Sequence, residues 1–490
     1  MAMKSGWLRR DLLKAAPALA LGAVPFALRA GVPGDPIAAR LDAFLNDAKA
    51  DGISIAIVRD GLTRYHDAGF AVRGGARASK GTVYEIGSIT KTFTGLILAH
   101  AIRERRVALT DDVRRYLPAG FDNLSKDGRA VTFADIVTTS SALPDNVPDW
   151  KAGLGNPSPA ELPQRVVEFY KDYTQGDFLR DLAKASLTDT PGREPRHSNT
   201  ASQLLGIVLS RIYGQPYAAL VARFIERPLR MREGTGDIPI ERLAIGYDEK
   251  AMPPLAVPLI MPAGGLRYGT ADMARYINAQ IAADDPAILQ TQQPLWGTPD
   301  HQAIGFHWII AKAADSRLYY RHSGGSFGCS SYCEFYPSQR YGIVLLTNRG
   351  NGDVQYQLEQ LAGEIHDIVC GAPVGLAQLR RALEATDYAD VPDSIAAVRQ
   401  RHPELHLNED RVNEWGYRLL FGKRARAAVA IFAYNVAANP LSANAHDSYA
   451  DALSAIGDKA GAMAAYGRAL ELNPNNDHSA ERLAELRKGT

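Results

Sequence analysis

The chain has 490 residues, 46% hydrophobic and 22% charged, with 55 Lys+Arg against 54 Asp+Glu. That apolar fraction excludes a wholly disordered protein and suffices for two or three domains with cores of their own. The cancelled charge argues against a nucleic-acid partner, and 3 cysteines cannot make a disulfide framework.

At the N-terminus, Arg9, Arg10, Asp11, Leu12, Leu13 and Lys14 precede an apolar, Ala-rich stretch reaching about Leu28. The pattern R-R-x-L-L-K resembles a twin-arginine export signal. Pro17, Gly22 and Pro25 interrupt the run and make it a poor permanent span, and small residues at Ala18, Ala20 and Ala30 offer cleavage sites. Residues 1–30 are read as a removable signal, which implies a periplasmic protein with no stable membrane span after removal.

Apolar residues at Ile37, Leu41, Phe44 and Leu45 predict a helix over 36–50. ISIAIV at 53–58, the turn former Asp60-Gly61 and a run ending in GFAV predict a hairpin. A helix is expected over 88–106, with Ile89, Phe93, Leu96, Ile97 and Ala101 on one face. From 110 to 240 the signals are mostly helical, broken by LPDNVPDW and GLGNPSP. After a Pro/Gly-rich loop, FHWII at 306–310, LYYRHS at 318–323, SYCEFYP at 331–337 and YGIVLLTN at 341–348 are spaced for an antiparallel meander, closed by a helix over 355–369. The expectation is an α+β domain over 31–375. Its antiparallel β-sheet, flanked by helices, is built from both ends of the segment, and an all-helical lobe faces it across a cleft.

Past residue 375 the chain turns to Ala-rich helix with an internal repeat. Asn439-Pro440 recurs as Asn473-Pro474, and at the same 34-residue shift Leu419 matches Leu453, Ala428 matches Ala462 and Phe432 matches Tyr466. This resembles the tetratricopeptide pattern, so 376–490 is read as an α-helical repeat module. Two repeats are clear and a third, around 375–408, is weak. Two alone are marginal, so the module is expected to pack on the preceding domain or on a protein partner.

The sharpest chemical signal is Glu85-Ile-Gly-Ser88-Ile-Thr-Lys91-Thr-Phe-Thr-Gly95. On a helix, positions i and i+3 share a face, so the Lys91 amine can reach the Ser88 hydroxyl. A lysine in a dry cleft loses its proton more readily and can activate a serine without a Ser-His-Asp triad. Taken alone, the spacing equally fits a serine N-cap with a solvated lysine one turn on.

Five further blocks follow in order: VTFADIVTTSSALPDN, PGREPRHSNTASQLLGIVLSRIYGQPY, MPAGGLRYGTADMARYI, RHSGGSFG and LLTNRG. Together with EIGSITKTFTG they resemble the serine β-lactamase and penicillin-binding protein superfamily over about 36–370, in the branch of class C β-lactamases, D-Ala-D-Ala peptidases and family VIII esterases. The resemblance implies Ser88 as acyl-accepting nucleophile and Lys91 as its proton acceptor. It implies the N–H groups of Ser88 and Gly325, beside Gly324, as oxyanion hole, and Asn199 as partner of the lysine or of a substrate amide. His322 stands where β-lactamases usually carry lysine, at the substrate's carboxylate end. Its neutral ring tilts preference away from anionic β-lactams, towards esters or other peptides. His197 replaces the tyrosine that opens the second motif, so it is the expected proton shuttle, on a shorter side chain.

The implied substrate is a small molecule or a peptidoglycan-type peptide. The implied reaction is hydrolysis of ester, D-amino-acid peptide or β-lactam carbonyls. If His197 fails as a shuttle, the alternative is a slow or inactive penicillin-binding scaffold whose repeats hold partners. Gly324-Gly325-Ser326-Phe327-Gly328 also matches G-x-S-x-G, but a strand rather than a helix is expected after it, which disfavours Ser326. The 11 histidines show neither H-E-x-x-H nor Cys/His ligand spacing, so no metal or cofactor is expected. Cys329 and Cys333, four apart on a strand, cannot bridge.

Overall fold

The computed structural model describes residues 35–488 except 233, 236, 237, 256 and 351, so the export-signal reading lies outside the described residues. Within them the chain divides into two compact units. One is formed by 35–311 with Leu318–Cys370, the other by Lys312–Arg317 with 371–488.

In the first unit the hairpin forms at Asp60-Gly61. β1 (Gly52–Arg59) and β2 (Leu62–Gly69) pair from Gly52↔Gly69 to Arg59↔Leu62, and both turn residues are left-handed, φ 51° and 78°. Two small sheets follow, β3 (Val83–Glu85) with β6 (Arg267–Gly269) and β4 (Ser125–Lys126) with β5 (Arg129–Ala130). The meander comprises β7 (Trp296–Thr298), β8 (Gln302–Gly305), β9 (Trp308–Lys312), β10 (Leu318–Gly325), β11 (Ser330–Tyr336) and β12 (Tyr341–Thr347). The eight-stranded order is β2-β1-β12-β11-β10-β9-β8-β7. β12 lies antiparallel to β1, from Ile53↔Thr347 to Arg59↔Tyr341, so the two ends of the segment complete one sheet. One expectation shifts: β9 starts at Trp308, because Phe306 and His307 form the left-handed turn that joins it to β8.

The helix carrying the S-x-x-K signature, Thr90–Arg103, is buried on every side from Thr90 to Ala99, not along a single face. Its threonines are satisfied internally: Thr92 Oγ1 donates to Ile89 O, and Thr94 Oγ1 donates to Pro262 O and meets Tyr217 OH. Polar residues that pair with backbone can pack in a core, and a periodicity count scores them as surface. The intervening segment supplies the helices Phe133–Val137, Leu162–Asp172, Gln175–Leu182 and Asn199–Tyr213. Phe133, Phe178, Leu204 and Val208, from three of them, share one cluster with Phe93, Leu96 and Ile97 of the serine-bearing helix, while Val166 and Tyr170 of Leu162–Asp172 pack in a separate cluster with Leu255 and Ile260.

In the second unit, helices start at Glu409, Ala443 and Asp477 and, between them, at Ala425 and Lys459, a recurrence of 34 residues. Val374–Ala385 and Val391–Arg401 precede them. Phe432 is fully buried, and a Cβ on Gly416 would lie 2.5 Å from its ring, so a glycine is what lets these two helices meet. All three cysteines are free thiols.

Candidate active site

The site is assembled around a short 3₁₀ turn, Gly87–Ile89, that leads into the helix Thr90–Arg103. Ser88 lies in that turn and Lys91 in the first turn of the helix, one helical step away. Lys91 is 2% exposed. Its Nζ has three partners at 2.8 Å: Ser88 Oγ, Asn199 Oδ1 and the carbonyl of Ala263. Burial lowers its pKa to about 7, the Asp145 carboxylate acting in opposition. The partners fix where the lone pair of a neutral amine points. Asn199 Oδ1 and Ala263 O can only accept, and Asn199 Nδ2 donating to Asn146 Oδ1 at 3.1 Å sets the amide orientation. The two N–H bonds of the neutral amine go to those oxygens, and its lone pair faces the one partner that can donate, the Ser88 hydroxyl.

Asn199 heads the helix Asn199–Tyr213, whose N-cap is Ser198. Ser198 Oγ accepts from Ala201 N–H and donates to Pro144 O, while the N–H groups of Asn199 and Thr200 donate to Asp145 O at 2.9 and 3.0 Å. The 144–146 loop is thus clipped to the helix start by the donors that a helix terminus leaves unsatisfied. Glu85, which opens the signature, is half-buried, and desolvation raises its carboxyl. It accepts from Leu255 N–H at 2.5 Å and ties the 253–260 loop to β3.

Opposite Ser88 runs the end of β10. Close approach is glycine's doing at two points. Gly87, with φ +50°, would place a Cβ 2.4 Å from Gly325 N, and a Cβ on Gly324 would lie 2.9 Å from Ser88 N and 2.1 Å from Ile86 O. The Ser88 and Gly325 amides therefore belong to two backbones that face each other. Ser331 Oγ, donating to Ile86 O at 2.8 Å, ties the second strand to the same point. His322 lies two residues before Gly324 on β10, hence on the same face, towards Ser88. Its Nδ1 is 2.6 Å from Ser323 O. A carbonyl only accepts, so Nδ1 carries the proton and Nε2 the lone pair. Burial first, then the charge of Lys91, pushes its pKa down to about 3, so the ring is neutral at pH 7.

His197 is placed differently from the expected shuttle. Its side chain is 53% exposed, and Nδ1 lies 2.7 Å from Asp145 Oδ1. It bonds to neither Ser88 nor Lys91, because Asp145 at the rim of the cleft takes it instead. Ser326 lies between β10 and β11, with no helix after it, and its Oγ accepts from Cys329 N–H. Sequence reasoning missed the Ala263 carbonyl, Asp145, Asn146 and His307. The first lies inside the P-A-G-G-L block and the next two inside S-A-L-P-D-N, so those blocks were the available signal. His307 had none. Among the described residues one group could hold a metal ion: Asp447, Asp451 and His478 in the second unit bring ligand atoms within 4.8 Å of one another. Each already has protein partners there: Asp451 accepts from Tyr417 and Tyr466, and Asp447 pairs with His478 and Ser479.

The chain resembles known proteins over this region. The "Protein flp" of Staphylococcus aureus (strain N315) is 26% identical over 331 residues, covering 64% of this chain and 63% of that one. The chain thus spans under two thirds of the length of the first curated relatives it matches. A "Beta-lactamase" of Pseudomonas fluorescens is 22% identical over 347 residues, covering 61% of this chain and 88% of that one. Two solved structures share the fold. The octameric penicillin-binding protein homologue from Pyrococcus abyssi has a TM-score of 0.56 at 23% identity, over 70% of this chain and 80% of that one. The class C β-lactamase from Rhodobacter sphaeroides has 0.55 at 19% identity, over 67% and 99%. The Beta-lactamase family profile matches residues 37–364. The chain belongs to the Beta-lactamase family, with the serine-hydrolase fold of the β-lactamase/transpeptidase superfamily.

Proposed function

We propose that the protein is an exported serine hydrolase that works through a Ser88 acyl-enzyme on ester, D-amino-acid peptide or β-lactam carbonyls. The observation that carries this reading is the Lys91 amine, buried, with a pKa near 7 and its lone pair facing Ser88 Oγ. Ser88 Oγ attacks the carbonyl carbon as its proton passes to Lys91 Nζ. The Ser88 and Gly325 N–H groups stabilise the oxyanion, and the tetrahedral intermediate collapses as Lys91 returns the proton to the leaving group. Water then attacks the acyl carbonyl, again giving a proton to Lys91. The acid leaves and Ser88 is reprotonated.

The neutral ring of His322 favours uncharged esters and peptides over anionic β-lactams. Residues 1–30 act as a twin-arginine-type signal to the periplasm, 31–375 as the hydrolase domain and 376–490 as a tetratricopeptide-like module for a protein partner. A second reading is a slow or inactive penicillin-binding scaffold. It draws support from His197, which pairs with Asp145 and bonds to neither Ser88 nor Lys91.

A fluorescent penicillin and a chromogenic short-chain ester, each given to the wild type and to Ser88→Ala, test the proposal. Ester turnover lost in the variant is the expected result. Stable labelling without turnover selects the scaffold reading. No reaction with either probe rejects the acyl-enzyme.

A further inference from the structure

His307 occupies the second place of the two-residue turn Phe306–His307, between the paired residues Gly305 and Trp308. Both turn residues are left-handed, φ 47° and 72°. Such a turn ordinarily selects Asn-Gly, and a side chain with a Cβ costs roughly 1–2 kcal/mol per residue there. The turn is pinned on two sides. His307 N–H donates to Val137 O at 2.7 Å. Phe306 O would lie 2.7 Å from a Cβ on Gly95, so it reaches the Thr90–Arg103 helix only because that residue is glycine. β9, which starts at the next residue, lies beside β10 and His322.

The His307 ring is 2% exposed, and neither of its nitrogens has a hydrogen-bond partner among the described residues. The ionisable groups acting on it are His322, Lys91 and His197, all from the candidate site, with no carboxylate among them. A buried polar group left unpaired costs about 1–3 kcal/mol. Backbone strain and an unpaired side chain therefore coincide at one buried residue that feels the charges of Lys91, His197 and His322, a combination that points to function.

We propose that His307 is a specificity-determining residue whose imidazole hydrogen-bonds an uncharged polar group, a hydroxyl or an amide, of the substrate held at Ser88. The inference rests on the acyl-enzyme reading above. A neutral imidazole offers one N–H and one lone pair. A hydroxyl or amide both donates and accepts and so satisfies either nitrogen, whereas a carboxylate can meet only the N–H and an alkyl group neither. His307 is 2% exposed, so a substrate meets the ring only as side chains over it move, and selection comes with a local rearrangement.

Three esters of nearly equal shape test this on the full-length protein: butyl butyrate, the hydroxypropyl butyrate whose terminal hydroxyl replaces the butyl methyl, and the butyl hydroxypropanoate whose hydroxyl replaces the butyrate methyl. Each kcat/KM is divided by the ester's rate of alkaline hydrolysis, which removes intrinsic reactivity. The wild type is expected to prefer one hydroxyl ester over butyl butyrate by about tenfold or more, and which one shows whether the alcohol or the acyl part meets His307. His307→Gly, which suits the turn, and His307→Phe, which keeps the bulk, bring that ratio to within about twofold of unity. His307→Asn, which tolerates a left-handed φ and keeps a donor and an acceptor, retains most of it. No hydroxyl preference in the wild type, or a preference that survives in both the Gly and Phe variants, overturns the proposal for His307 while Ser88-dependent hydrolysis stands. Hydrolysis that persists in Ser88→Ala, or is absent from the wild type, rejects the acyl-enzyme reading and this proposal with it.

Discussion

Ser88 and Lys91 were legible as a pair because the groups that must meet sit one helical step apart, so spacing alone carries the geometry. Asn199 arrived through its motif block. The third partner of the lysine, the Ala263 carbonyl, was not legible, since backbone oxygen has no residue signature and only the tertiary path brings it within 2.8 Å. His197 shows the converse. The motif located the residue, but Asp145, 52 positions earlier in the chain, decides where the ring points.

The state of the lysine gives a pH prediction with a definite sign. On the acyl-enzyme reading the neutral amine is the working form, so kcat/KM for an aryl ester is expected to rise through about pH 7. Lys91→Met should lose on the order of a thousandfold or more at pH 8, measured with the same ester. Stability shifts the other way. A lysine whose folded pKa lies below its unfolded value costs stability most fully below pH 7, and that cost shrinks as pH rises towards the unfolded value. Thermal melts should therefore show Lys91→Met more stable than the wild type at pH 6, by a margin that narrows by pH 9. At His322, replacement by lysine restores a cation opposite Ser88. Labelling by a fluorescent penicillin should then speed up about tenfold, equivalent to about 1.4 kcal/mol; an unchanged rate would remove this position from control of charge preference.

At the scale of elements, turn chemistry decided what could be read. Asp60-Gly61 announces its hairpin, while Phe306–His307 adopts the same left-handed geometry with residues that give no warning, so the strand begins two residues later than its apolar pattern predicts. The serine-bearing helix was recognised but its surroundings were not, because its threonines count as polar in a pattern and are fully buried in the fold. The contact between Gly87 and Gly324–Gly325 is the most demanding junction. A methyl at Gly324 would need space already held by Ile86 O at 2.1 Å. Gly324→Ala is expected to cost about 1–3 kcal/mol in denaturant unfolding and to suppress acylation by pushing β10 away from Ser88. Acylation at the wild-type rate would mean that the two backbones need not touch.

For the whole chain, patterning was enough for an α+β fold with an antiparallel sheet and a C-terminal helical region. The 34-residue recurrence was legible because each turn of the repeat demands the same small and large residues in the same places. Phe432 sits at one such place, against Gly416. Phe432→Ala should destabilise the helical unit by about 3–5 kcal/mol, read by circular dichroism during urea unfolding.

The sheet built from both ends also sets a timetable for synthesis. Gly52 N–H donates to Asn348 Oδ1 across 296 residues, and Ser331 Oγ to Ile86 O across 245. The second cannot form until the ribosome has passed residue 331, nor the first until it has passed residue 348. Until then β1, seven of whose eight residues end up buried, is paired only with β2 and presents an open apolar edge. Such distant pairings form slowly. The nascent chain thus carries Ser88 and Lys91 for most of translation without the opposing amide of Gly325, so on the acyl-enzyme reading its site stays incomplete until the last strands of the sheet are made.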